Sequence, residues 1–305
     1  VDGVVKLAGR FGGVVEHLPT VYRELRKARQ DRRDGNADAL SGHQAPPTIL
    51  NQPISASRRY LARSYPLARI KAASRTLGCT VNDVMLAMCS HALRRYLLDQ
   101  RALPSEPMIA GVPMSTRRDK SDVGNQISFL LANLGTHLAD PAERLRVIRA
   151  SVEHSKQRYA PMKPGAILGF AAAQMLPGLV NMLLAPKRGH LAFNLVISNV
   201  PGPRSPLYWQ GCAVEGMFPV SVLADGMALN ITASSRADAL DFGVLACRRT
   251  LPNVESLMDY LGDGLDEIER LARMTIAVGR PVPMLEGEPA AELEAPSPAA
   301  SEPAP

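Results

Sequence analysis

An α/β fold is what the 305-residue sequence predicts, and three observations carry it. Runs of helical period alternate along the chain with short apolar runs of strand length. Met227 to Ser235 and Leu240 to Arg248 alternate in polarity around Ala237-Asp238-Ala239, the pattern of a hairpin. Hydrophobic residues make up 46% of the chain, enough to fill one large core or two smaller ones.

Taken in order, residues 1–50 read as a linker helix and loop. Leu18, Val21, Tyr22, Leu25 and Ala28 keep helical spacing, and Arg23, Arg26, Lys27, Arg29, Arg32 and Arg33 cover much of the rest. Such a basic amphipathic helix packs on a neighbouring domain or lies on a membrane. Asp34 to Pro47 is a polar loop. Leu67 to Leu77 predicts a short helix ended by Gly78 at C′. Thr80 then caps a second helix, and Asp83 completes an acidic capping box. On that helix Val81, Val84, Met85, Met88, Ala92 and Leu93 share a core-facing side.

Met108 to Met114 and Gln126 to His137 predict strands, and Pro141 to Tyr159 a helix. Ala192 to Val200 and Val214 to Val222 predict further strands, and Val254 to Met274 a closing helix. Gly165 to Ala185 is apolar enough to span a bilayer. Gln174, Pro177 and Asn181 within it argue instead for two short buried or interface-lying helices. The tail after Arg280 has seven prolines and little periodicity, which predicts disorder. The division is therefore 1–50, then a main domain over 51–274, then a Pro/Glu-rich tail over 275–305.

Composition narrows the function. Aromatic residues are 5% with a single tryptophan, so no nucleic-acid stacking surface is expected. Cys79, Cys89, Cys212 and Cys247 form no C-x-x-C pair and no zinc-like spacing with histidine. They read as buried thiols in a reducing compartment, with no metal. The net charge is +6, yet residues 281–305 hold five glutamates and no basic residue, which leaves +11 on the remainder. A basic body suits an anionic membrane or an anionic acyl carrier such as coenzyme A, or is simply a solvated surface. No charged-then-apolar signal segment follows Val1.

No complete catalytic constellation is present. None of His17, His43, His91, His137, His154 and His190 has an aspartate four residues on. There is no G-x-S-x-G elbow and no Gly-rich phosphate loop. His91 reads as a surface or packing residue without an acid partner. Three segments stand out. Asn82 and Asp83 occupy a first helical turn, where capping is the plain reading and free N–H groups gather. Ile197-Ser198-Asn199-Val200-Pro201-Gly202-Pro203 ends a strand in a rigid turn. Leu240-Asp241-Phe242-Gly243 opens the second hairpin strand.

In this order the segments resemble the bacterial wax ester synthase/diacylglycerol acyltransferase family. The most specific run is Val81 to Leu97, similar to that family's N-D-V-x-L-A helix and the C-S-x-A-L-R-x-x-L run after it. Asn51-Gln52-Pro53-Ile54-Ser55, Gly111-Val112-Pro113-Met114-Ser115, Gly124-Asn125-Gln126 and the Ile197 to Pro203 turn also match. The resemblance covers Leu50 to Met274.

It implies one half of a chloramphenicol-acetyltransferase-like, coenzyme-A-dependent acyltransferase fold, in which two α/β halves face each other across a tunnel. It also implies acyl transfer from acyl-coenzyme A, as co-substrate, to diacylglycerol or a long-chain alcohol. No bound cofactor is implied. The base would be the second histidine of an H-H-x-x-x-D-G motif in the N-terminal half, which this chain lacks; Val1-Asp2-Gly3 is too close to Asn82 to be its remnant. The expected partners are thus that N-terminal half, acyl-coenzyme A, the acceptor, and a membrane or lipid-droplet surface. The implied location is cytoplasmic, peripheral at the inner membrane or lipid inclusions. Asn82, Asp83, Asn199, Pro201 and Gly202 are the structural or tunnel candidates. A condensation-type acyltransferase of the same fold and a non-catalytic lipid-surface protein are the alternatives.

Overall fold

The computed structural model describes residues 18–33, 45–115, 127–184 and 192–278. Helix α1 (Leu18–Arg33) comes first. Strand β1 (Arg58–Pro66) runs directly into α2 (Leu67–Thr76), and Gly78 beyond it adopts φ +58°, the left-handed C′ conformation expected of it. Thr80 caps α3 (Val81–Asp99). Its Oγ1 accepts from the Asp83 N–H at 3.2 Å, and Asp83 Oδ2 accepts from the Thr80 N–H at 2.9 Å.

Strands β2 (Ile109–Ser115) and β3 (Ile127–Asn133) pair antiparallel. Helix α4 (Pro141–Tyr159) is capped by the Asp140 carboxylate, and α5 (Pro164–Leu184) follows. Then come β4 (Leu195–Val200), the short strands β5 (Tyr208–Trp209) and β6 (Cys212–Ala213), the hairpin β7 (Leu229–Ser235) and β8 (Ala239–Cys247), and α6 (Ser256–Val278). The main sheet has the order β1-β8-β7-β4-β2-β3. β4 lies parallel to both β2 and β7, and the other neighbours are antiparallel.

Strand alternation sorts β8 into two faces. Leu240, Phe242, Val244 and Ala246 join the core under the helices. Tyr65 meets Phe242 edge-on at 5.4 Å, and its hydroxyl donates to the Met258 carbonyl at 2.5 Å. In α3 the run from Val84 to Cys89 is at most 4% exposed, so the helix is covered nearly all round. Gly264 of α6 lets the two helices close: a Cβ there would stand 3.0 Å from the Met88 carbonyl oxygen.

Several elements differ from expectation. Gly165 to Ala185 does not divide into two helices; α5 is one helix through Pro177. A proline removes one ladder bond and crowds one carbonyl, which a long helix absorbs without ending. No helix among the described residues is long and apolar enough to cross a membrane. Val214 to Val222 is not a strand; it makes no ladder, because it is docked across the β7–β8 hairpin. The strand expected over Gln126 to His137 stops at Asn133, where the chain turns through Gly135 at φ +58°. Cys212 is exposed, not buried, because β5 and β6 stand off the body. Val1-Asp2-Gly3, Gly124-Asn125-Gln126, His17, His43, His190 and the tail lie outside the described residues.

Candidate functional site

A cavity of about 530 Å³ opens where β4, β7 and β8 meet their loops. Pro203, Leu207, Val214, Met217, Arg236 and Asp238 are among its walls. Its mouth is shaped by the turn after β4. The Gly202 N–H donates to Ser235 Oγ at 3.2 Å, and a Cβ on Gly202 would lie 2.0 Å from the Ser235 carbonyl oxygen. Glycine is required here by close backbone approach. Pro201 is exposed beside it.

The L-D-F-G segment has a structural task that spacing alone did not reveal. Asp241 is fully buried on the face of β8 turned away from the helices. Its carboxylate accepts from Ser64 Oγ at 2.6 Å, from the Met217 N–H at 2.7 Å and from Arg236 Nε at 3.1 Å. Arg236 also pairs with Asp238. Two residues on, Gly243 leaves room for the Pro219 carbonyl, which a Cβ would approach to 1.9 Å. Tyr60 Oη donates to that carbonyl at 3.3 Å. Asp241, Gly243 and Tyr60 together fasten residues 217–219 across the hairpin. Fastened this way, the segment cannot also pair as a strand. It turns Phe218, Val220 and Val222 outward, the last two 68% and 81% exposed. With Tyr208 and Trp209, at 68% and 74%, they form a concentrated apolar surface beside the cavity.

Asn199 is half-buried on β4, in register with Ala233. It shares the helix-covered side with Ile197. Asn82 is half-buried in the first turn of α3, and Asp83 is spent on capping, with its Oδ2 also 2.8 Å from Thr80 Oγ1. Tyr96, near the far end of α3, donates to Pro252 just beyond β8. Among the described residues no hydrogen bond joins Asn82 or Asp83 to Asn199, Pro201 or Gly202. The five candidates form two groups, and only Gly202 and Pro201 border the cavity turn.

Among the described residues no histidine lines the cavity. His91, expected to lack an acid partner, has one: its Nδ1 is 2.9 Å from Glu267 Oε2. The same oxygen takes Arg144, whose side chain is 3% exposed. Burial pushes the Glu267 carboxyl up, but its hydrogen bonds to His91 and Arg144 outweigh this and hold it below its ordinary value. The trio ties α3, α4 and α6. Glu267 lies 176 residues from His91, so no local spacing could have shown it. Among the described residues no cluster of His, Cys, Asp or Glu is arranged to hold a metal. The walls are mixed, with Leu207, Val214 and Met217 beside Glu215, Arg236 and Asp238, and can orient a ligand that is part apolar and part polar. Among the described residues no histidine stands there to serve as the base for acyl transfer.

Two family models match this chain. One, the wax ester synthase/diacylglycerol acyltransferase catalytic domain, covers residues 2–85 and so takes in the segment read from sequence as a linker. The other, the WS/DGAT C-terminal domain, covers residues 123–269. The O-acyltransferase WSD of Acinetobacter baylyi is 45% identical over 268 residues, 87% of this chain and 58% of the relative. A wax ester synthase/diacylglycerol acyltransferase from Marinobacter aquaeolei VT8 superposes with a TM-score of 0.68 at 41% identity, over 84% of this chain and 57% of the other. A nonribosomal peptide synthetase, FmoA3, shares the fold alone, with a TM-score of 0.51 at 15% identity over 80% of this chain and 26% of its own. The chain spans 58% of the length of the Acinetobacter baylyi relative.

Proposed function

Since the chain belongs to the wax ester synthase/diacylglycerol acyltransferase family, we propose that it forms the substrate-channel part of an acyl-coenzyme-A-dependent O-acyltransferase. The acceptor would be diacylglycerol or a long-chain alcohol, and acyl-coenzyme A the donor. One observation carries the reading: an apolar surface is fastened beside a cavity that no histidine lines among the described residues. Exposed apolar side chains gathered in this way are the kind a neighbouring protein body covers. The N-terminal half of the same enzyme, bearing H-H-x-x-x-D-G, is the partner that supplies what the cavity lacks.

In the complete enzyme that histidine takes the acceptor's hydroxyl proton. The alkoxide oxygen attacks the thioester carbonyl carbon, the C–S bond breaks, and the coenzyme A thiolate recovers the proton from the imidazolium. This chain's share is orientation: holding both substrates in line lowers a bimolecular barrier by several kcal/mol. Gly202 and Pro201 would shape the channel mouth. Asn82, Asp83 and Asn199 would position the elements behind it. The expected location is peripheral, at a membrane or lipid inclusion.

The test is reconstitution. The chain is mixed with the part of the Marinobacter aquaeolei relative that it does not span, and ester formation is followed from acyl-coenzyme A with diacylglycerol or a long-chain alcohol. The chain alone should be inactive and the mixture active. A stable complex without ester formation would refute the assignment.

A further inference from the structure

We infer that the outward face of α1 is a docking surface for anionic lipid. The choice of lipid rests on the reading above, in which the acceptor is drawn from a lipid phase. The choice of face rests on the helix itself.

Exposure along α1 follows the helical period. Val21, Glu24 and Ala28 turn inward and are 4–8% exposed. Tyr22, Arg23, Arg26, Lys27, Gln30 and Arg33 are exposed. The inward side is fixed in place. Leu25 packs against the main core, and α1 lies along α5. Arg158 of α4, with its side chain 7% exposed, holds Asp31 at 2.7 Å. The same guanidinium sits 6.0 Å from the Phe170 ring of α5. The helix is thus held in one rotational setting.

In that setting Arg23, Arg26, Lys27 and Arg33 face outward, and among the described residues of α1 no exposed carboxylate stands with them. Glu24 is buried beneath Arg23, with 3.3 Å between them, and Asp31 is committed to Arg158. Tyr22, 70% exposed, stands among the cations. Close by in the fold, α5 exposes Leu168 to 56%. Guanidinium and ammonium groups around an amphipathic ring suit a headgroup layer, where the charges meet phosphate and the ring sits at the edge of the acyl region. A nucleic acid is a poorer match, because one tyrosine on one helix provides no stacking series.

The test uses the 305-residue chain and sedimentation with two kinds of vesicle, phosphatidylcholine alone and phosphatidylcholine mixed with phosphatidylglycerol. Binding to the mixed vesicles only, weakened by salt, is expected. The combined variant Arg26→Gln, Lys27→Gln, Arg33→Gln should lower the partition coefficient about a hundredfold, from about fivefold per cation. The variant Arg26→Lys, Arg33→Lys should bind as the parent does. A control with Arg101, Arg248 and Arg249 changed to Gln removes equal charge elsewhere and should retain binding. If the parent ignores anionic vesicles, the lipid reading fails. If the parent binds but the α1 triple variant binds equally, or the control loses as much, the assignment to α1 fails alone. A parent that prefers an acidic protein such as ovalbumin to the mixed vesicles also overturns it. Circular dichroism of each variant confirms that loss is not unfolding.

Discussion

Arg236 and Asp241 face each other across the turn of the β7–β8 hairpin, with Nε 3.1 Å from a carboxylate that has no solvent exposure. Arg236→Ala leaves that charge unpaired in the interior, a loss of about 3–5 kcal/mol. Asp241→Asn retains an oxygen for the Met217 N–H and should cost less. Urea unfolding midpoints give the order, and an unchanged midpoint for Arg236→Ala would contradict it.

The two close glycines make a paired experiment. Gly202→Ala and Gly243→Ala drive a methyl into carbonyl oxygens at 2.0 and 1.9 Å, and each should lose about 1–3 kcal/mol. Gly243→Ala should also release residues 217–219 to chymotrypsin at Phe218. Gly262→Ala is the control. Its Cβ meets only Tyr65 Cε1, at 3.7 Å, so alanine in this helix should be neutral or stabilising by up to about 1 kcal/mol.

Glu267 makes stability depend on acid. Its folded carboxyl titrates below the ordinary 4.5, so the folded state binds this proton less readily than the unfolded chain. The contribution is complete above the ordinary value and is lost as pH falls through the folded one. The stability difference between the parent and Glu267→Gln should therefore shrink from about pH 6 to about pH 3. A difference that stays constant across that range would disprove the linkage.

The four thiols should separate by access. Cys212 is exposed and should alkylate first. Burial pushes the Cys79 thiol up to about 12 and Cys89 higher still. For Cys247, burial also raises the value, but hydrogen bonds from Thr250 and Ser55 prevail and bring it to about 6. Cys247 is nonetheless 0% exposed, so it should react with iodoacetamide only on unfolding, despite its thiolate character. Mass mapping after brief labelling checks the order.

Asn82 and Asp83 should part company. Asp83→Ala removes half of a capping box and should cost about 1 kcal/mol. Asn82→Ala touches no described hydrogen bond and should leave stability nearly unchanged. In a reconstituted enzyme it should lower turnover about tenfold or more, roughly 1.4 kcal/mol in the barrier. Equal turnover at equal stability would show Asn82 to be a bystander.

What the sequence made legible was what local chemistry decides. The Thr80–Asp83 box, Gly78 at C′, the helix over Pro141–Tyr159 and the β7–β8 hairpin were all readable, because each depends on neighbours a few residues apart. Asn199 and Gly202 could be flagged as unusual, but the reason for Gly202 is the Ser235 carbonyl, supplied by another strand. Val214 to Val222 misled because an apolar run built to be exposed reads like one built to be paired. The partner of His91 and the fastening of Met217 by Asp241 were illegible for a related reason. Each joins elements that only the tertiary fold brings together.

The pairing of β1 with β8 sets a timetable. Arg58 lies opposite Cys247, nearly 190 residues further along, so the sheet cannot close its β1 edge until most of the chain has left the ribosome. Until then α2 and α3 carry their apolar sides without α6 to cover them. Such long-range closure is slow and leaves sticky intermediates waiting. Production should therefore gain more from slowed synthesis or added chaperone than from stabilising the finished sheet. A truncation that removes α6 should aggregate even though every earlier strand is intact.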